Sequence, residues 1–214
     1  MISWSALIGP AQRRFRAARI DKIRAEFPDL VGATIIDIGG SIPFWRMAAP
    51  VLQPKSVKIY NIHHHRMVMG DELTDRRIEL FLYDGVTIPE ADGSADLVIC
   101  NSVIEHVPPA ARAGLAREIE RVGKAYVVQT PSPVFPLELH FGLPFLHWLP
   151  RKMGRALSKV SPFHFLSGAD GPTYFDETRL LSHKELRQLL PQAKIVTERL
   201  AGIPKSYLAI GRTA

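Results

Sequence analysis

Four polar clusters, each closing an apolar run, could together bind a nucleotide-like ligand. They are Asp37 with Gly39 and Gly40, then Asn61, then Asp84 with Gly85, then Asn101 with Ser102. Two consecutive glycines let the chain turn sharply and bring backbone N–H groups close to a ligand. Asp37 ends its run where it can hold that turn or meet a cationic ligand group. Asn61 can bond ribose hydroxyls, the role an acidic residue has in dinucleotide-binding folds. Asp84 offers an acceptor and the Gly85 amide a donor, a pair that fits an adenine edge. Asn101 shapes the pocket beside Ser102. Polar tips on several neighbouring strands describe a crevice at the carboxyl ends of a doubly wound sheet.

The elements that must position these residues are alternating strands and helices. Strands are predicted over 33–38, 56–62, 78–83, 95–101 and 124–130. The fourth is nearly all apolar, as a central parallel strand should be. A basic helix is predicted over 10–27, where Phe15, Ala18, Ile20, Ile23 and Phe27 recur at loosely helical spacing before Pro28. Further helices are predicted over 43–52 and from Pro108 and Pro109 to a stop at Gly123. Ser182 and Glu185 form a capping-box pattern ahead of Leu186, Leu189 and Leu190. Two last strands, 193–200 and 205–210, read as an antiparallel hairpin joined through Gly202. The alternation argues for βαβ units and a parallel sheet. Residues 131–172 break it; rich in Pro, Phe, His and Leu, they predict a lid with short helices of its own. The chain thus divides into a basic helix in 1–30 and one α/β domain in 31–214.

On these residues the chain resembles the class I S-adenosylmethionine-dependent methyltransferases, and within them the methyltransferase type 11 group. The run Ile35-Ile36-Asp37-Ile38-Gly39-Gly40 resembles the first donor motif of that class. Residues 84–89 followed by 92–107 resemble the group's most recognisable stretch. Residues 127–131, 136–140 and 180–186 resemble a bacterial subgroup often found near surface-glycan genes. The resemblance covers residues 31–212. It implies a Rossmann-like, doubly wound, mostly parallel seven-stranded sheet, with the lid between the fifth strand and a C-terminal helix and hairpin. It also implies S-adenosylmethionine as cofactor. Two departures stand out: Ser41 and Pro43 occupy later glycine positions of the motif, and Asn61 stands where an acid is expected. The Gly-x-Gly-x-x-Gly fingerprint of NAD-binding folds is missing.

Methyl transfer from an activated sulfonium asks mainly for alignment. A general base is needed only where an acceptor hydroxyl must lose its proton. The candidates are His106, just past the fourth strand, and Glu138 and His140 at the start of the lid. The expected activity is methylation of an oxygen on a small molecule or glycan, with a lipid-linked acceptor as a variant. A non-catalytic binding protein is the alternative that Ser41, Pro43 and Asn61 motivate. RNA methylation, and nucleic acid as a partner, is disfavoured. There is a single cysteine, no Asn-Pro-Pro-Tyr motif and no separate RNA-binding module in the sequence.

Among the 214 residues, 27 Lys and Arg face 21 Asp and Glu, a net charge of +6. Much of the excess lies in 13–24 and 151–159, as solvated helix faces or as attraction to an anionic surface. Residues 141–159 join an apolar half to a basic half. Such a segment can lie on an anionic membrane or fold over a soluble acceptor. Cys100 has no cysteine to pair with and reads as core. His63, His64 and His65 are adjacent and cannot converge on one centre, so a loop or solvent role and no metal is expected. No membrane-spanning run and no secretory signal pattern is evident. The expectation is a cytoplasmic protein, with peripheral contact at the inner membrane face as the variant.

Overall fold

The apolar runs form one seven-stranded sheet in a computed structural model that describes residues 4–68, 73–138, 141–167 and 170–213. Its strands are β1 (Thr34–Ile38), β2 (Ser56–Asn61), β3 (Ile78–Leu82), β4 (Leu97–Asn101), β5 (Ala125–Pro131), β6 (Lys194–Leu200) and β7 (Ile203–Arg212). The spatial order is β3-β2-β1-β4-β5-β7-β6. The pairs among β1 to β5 are parallel, and β7 runs antiparallel between β5 and β6. The hairpin turn uses Ala201 and Gly202, both at positive φ. The chain winds outward from β1 to β3, then crosses back to β4 on the other side of β1. That reversal is the switch point at which a doubly wound sheet opens a crevice. Asp37 stands opposite Ile99, and Ile38 opposite Cys100. The turn after β1 and the tip of β4 therefore reach the same level.

The strand period of two sends alternate residues to two cores. Ile35, Val57, Ile99 and Val127 pack with α1 (Trp4–Glu26) and α2 (Ile42–Leu52). Ile36, Val98, Cys100 and Val128 pack with α4 (Arg112–Val122) and α8 (His183–Leu189). Each fully buried Ile or Leu is worth about 1.5–3 kcal/mol relative to exposure. Cys100 is core, and burial pushes its thiol well above the usual range. α3 (His64–Val68) follows β2, so the three histidines flank and enter a helix rather than a plain loop; His63 and His64 are exposed. Among the described residues no three His, Cys, Asp or Glu are grouped to hold a metal ion.

α1 begins at Trp4 instead of residue 10, with Pro10 inside it. The proline removes one backbone bond, while Ile20, Ile23 and Phe27 anchor the later turns in the core shared with β1 and α2. The helix is thus packed into the α/β body. The helix expected after Pro108 opens instead as a 3₁₀ turn, Pro109–Ala111, and continues as α4. The capping box at Ser182 and Glu185 is formed in both directions.

Between β5 and α8 lie a 3₁₀ turn (Leu146–Trp148), α5 (Arg151–Ser158), α6 (Pro162–Ser167) and α7 (Gly171–Glu177), so the segment expected as a lid over 131–172 carries short helices and the last of them runs on to Glu177. Phe141, Leu146 and Phe175 give it a small core of its own. α5 packs on α7, and α6 on α1. Among the described residues no helix is long and apolar enough to cross a membrane.

Candidate active site

The turn after β1 is built around one carboxylate. Asp37 is 1% exposed, and its Oδ2 accepts a hydrogen bond from Trp45 Nε1 at 2.7 Å. Its Oδ1 is buried without a partner among the described residues. Burial pushes the Asp37 carboxyl up to about 7, against the Trp45 bond that lowers it. Gly39 has φ +68° and donates its N–H to the Tyr60 carbonyl at 2.7 Å. A Cβ on Gly39 would stand 2.3 Å from Val103 Cγ2, and one on Gly40 would stand 2.0 Å from Asp37 Oδ2. Ser41 then stands at the N-cap position of α2 without a side-chain cap bond, and Pro43 lies in the first turn. The sequence that departs from the glycine-rich motif thus starts a helix at once, and that helix brings Trp45 back onto Asp37.

The tip of β4 is tied to β5. Ser102 has φ 56°, a left-handed conformation that strains a non-glycine residue. Its N–H donates to the Gln129 carbonyl at 3.0 Å and its hydroxyl to Gln129 Oε1 at 2.9 Å. These bonds hold Asn101 and Ser102 at the crevice.

A cavity of about 870 Å³ lies over this switch point. Asp37, Gly39, Gly40, Asn101 and Ser102 form its floor, Glu138 and Tyr174 come from the lid, and Arg16 and Arg19 from α1. Arg19 donates to Asn101 Oδ1 at 2.5 Å and to Glu198 Oε2 at 2.9 Å. Burial pushes the Glu198 carboxyl up, but Arg19, Ser206 and Lys22 outweigh it and hold the carboxyl at about 2. Lys205 also lines the cavity, its Nζ 3.9 Å from the centre of the Phe15 ring. Burial, then the charge of Arg19, lowers Lys205; the same two causes lower Arg16. Arg16, Arg19 and Lys205 thus bring three cations close together in the same lining that holds Asp37.

The sequence-predicted residues divide. Asp37, Gly39, Gly40, Asn101, Ser102 and Glu138 line the cavity. Asn61 does not; it is buried, donates from Nδ2 to the Gly40 carbonyl at 3.3 Å and accepts from the Ile62 N–H at 3.1 Å. It buttresses the glycine turn instead of presenting itself to a ribose. Asp84 and Gly85 also lie outside the lining. The exposed Asp84 carboxylate accepts from the Val86 and Thr87 amides, each at 2.8 Å, which lower its pKa. His106 stands behind the cavity wall, its ring 5.3 Å edge-on from that of Tyr174 and its Nδ1 3.4 Å from Thr178 Oγ1. His140 lies outside the described residues. Arg16, Arg19, Gln129, Tyr174 and Lys205 were not singled out from the sequence. The one signal was spacing: Gln12, Phe15, Arg16 and Arg19 share a helical face.

Sheet order, switch-point cavity and glycine turn are together those of the Rossmann-like methyltransferase fold. A family model described as a methyltransferase domain matches residues 48–126. The fold is similar to that of a putative S-adenosylmethionine-dependent methyltransferase from Listeria monocytogenes, with a TM-score of 0.61 at 11% identity, covering 93% of this chain and 98% of that one. A putative methyltransferase in complex with the Trm112 methyltransferase activator, from Haloferax volcanii, gives 0.60 at 14% identity, covering 96% and 92%. Magnesium protoporphyrin IX methyltransferase from Synechocystis PCC 6803, with bound SAH, gives 0.55 at 14% identity, covering 92% and 83%. No curated protein matches the sequence. The chain carries out S-adenosylmethionine-dependent methyl transfer, and S-adenosylmethionine is its cofactor.

The residues present fit that cofactor. The unpartnered Asp37 Oδ1 suits the ammonium group of the methionine moiety, and Arg19 suits its carboxylate. Gly39 and Gly40 keep the turn tight, since a Cβ at either would collide with Val103 or with Asp37 itself. The cavity is large enough to hold an acceptor as well.

Proposed function

We propose that this enzyme methylates an oxygen of a small-molecule or glycan acceptor, with Glu138 as general base. The observation that carries the reading is Glu138 itself, 6% exposed on the wall of the cavity that Asp37 and Asn101 also line. Of the three base candidates, it alone lines the cavity among the described residues. When bound, the cofactor supplies a methyl group already activated by its sulfonium. Asp37, the glycine turn and Arg19 fix the donor end, and the lid residues Phe135, Leu137 and Tyr174 enclose the acceptor end. Glu138 takes the hydroxyl proton as the acceptor oxygen gains the methyl group. His106 orients Tyr174 in this scheme and does not take the proton. The likeness of residues 127–131, 136–140 and 180–186 to a subgroup found near surface-glycan genes supports a saccharide acceptor.

The test is methyl transfer to a panel of saccharides and small hydroxyl compounds by the wild type and by Glu138→Gln. A general base contributes about 10²–10⁴-fold, so kcat should fall by that much while donor affinity holds. Unchanged kcat in Glu138→Gln, or methylation of nitrogen or carbon acceptors alone, overturns the reading.

A further inference from the structure

We propose that α5 and the turn before it form a docking surface for an anionic phospholipid membrane. The starting observation is a helix packed by the wrong face. In α5 only Gly154 and Ser158 are buried. Gly154 sits so close to the body that a Cβ would stand 2.5 Å from Phe175 Cζ and 3.0 Å from the Leu146 carbonyl oxygen. At 3.6 residues per turn, the remaining arc splits cleanly. Met153, Ala156, Leu157 and Val160 lie on one side of it, all exposed; Arg151, Lys152, Arg155 and Lys159 lie on the other. A surface helix of a globular protein turns its apolar stripe to the core. This one turns two small residues to the core and leaves Met153 53% and Val160 61% exposed.

The patch continues beyond the helix. Phe145 and Trp148 are about half exposed, with ring centroids 4.9 Å apart, and Phe165 on α6 is 68% exposed. The indole N–H of Trp148 already donates to the Pro133 carbonyl at 2.7 Å. Its ring can therefore enter an apolar phase without stranding a donor.

Charge decides the occupant. Residues 141–169 contain no Asp or Glu. Among the described residues the carboxylate that ion-pairs with α5 is Asp176, with both Arg151 and Arg155, and Asp170 acts on Arg155 from further off. Lys152 and Lys159 make no ion pair among the described residues. A surface that is apolar, aromatic and cationic at once matches the lipid interface, where aromatic rings sit at headgroup level and basic side chains meet anionic headgroups. The lid that lines the cavity with Glu138 and Tyr174 would then lie against the membrane.

The test is co-sedimentation of the full chain with vesicles of phosphatidylcholine alone and of phosphatidylcholine mixed with phosphatidylglycerol, at physiological ionic strength. The wild type should bind the mixed vesicles and bind less as salt rises. Each basic residue near an anionic surface is worth roughly fivefold, so Lys152→Ala with Lys159→Ala should weaken binding roughly 30-fold. Met153→Ser with Leu157→Ser should weaken it at least as much. Calorimetric donor binding by both variants shows that they are folded and keeps this test independent of acceptor chemistry. No binding by the wild type overturns the proposal, as does equal binding to neutral vesicles. So does a wild-type dimer that the Met153 and Leu157 changes dissociate, since a second copy would then own the patch.

Discussion

Donor affinity should fall with pH below neutrality, and Asp37 should be the cause. Its carboxyl is pushed up to about 7 because burial disfavours the charged form more than the Trp45 bond supports it. Near neutrality the free enzyme is therefore about half protonated at this position. The donor's ammonium group needs the ionised carboxylate, so binding expels the proton wherever the free enzyme still holds it. Below the pKa each pH unit then costs roughly tenfold in Kd, or about 1.4 kcal/mol. Between about pH 8 and pH 6 the ionised fraction falls roughly tenfold, and Kd should rise by the same factor. Calorimetry at the two pH values, repeated in buffers of different ionisation enthalpy, reads both the affinity and the proton released. Asp37→Asn should bind weakly and lose the pH dependence. In the donor-free protein a raised carboxyl pKa acts oppositely on stability. The folded state holds the proton over the window from 3.8 to about 7, so stability declines as pH rises through it. Asp37→Asn should flatten that decline in a urea titration series. A pH-independent Kd in the wild type, with no proton release below neutrality, refutes the placement of the ammonium group at Asp37.

Gly40→Ala should cost about 1–3 kcal/mol of stability by overpacking and lower donor affinity as well, because the new Cβ would sit 2.0 Å from Asp37 Oδ2; denaturation and calorimetry measure the two effects. Arg19→Ala leaves the buried Glu198, among the described residues, with Lys22 as its remaining ion-pair partner. Breaking a buried pair costs about 3–5 kcal/mol, and Lys22 should keep the loss at the low end, as urea unfolding would show. Ser182→Ala removes the capping box of α8 and should cost about 1 kcal/mol without changing donor affinity.

The strands and the switch point were legible because period and chain order carry them. An apolar run ending in Asp37, Gly39 and Gly40 and a second ending in Asn101 had to be neighbours in a parallel sheet, and their register puts them at one level. Side-chain direction at the loop tips was not legible. Asn61 and Asp84 both occupy strand-end positions suited to a nucleoside, yet each spends its hydrogen bonds on local backbone. Short Asx side chains compete for nearby N–H groups, and nothing in the spacing reveals which bond wins.

The cationic part of the cavity lining was illegible for a different reason. Arg16 and Arg19 look like part of a solvated basic run until α1 is placed across the sheet, and the partners of Arg19, Glu198 and Asn101, lie 179 and 82 residues away. Local pattern shows that Gln12, Phe15 and Arg19 share a face; only the fold shows that the face closes a cavity. The same limit applies in reverse to α5. A surface helix ordinarily turns its apolar stripe to the core, and in α5 the Gly154 contact with Phe175 turns that stripe outward. A glycine in mid-helix reads as a weak point in sequence. Here it fixes which way the helix faces, and so which surface the lid offers to whatever carries the acceptor.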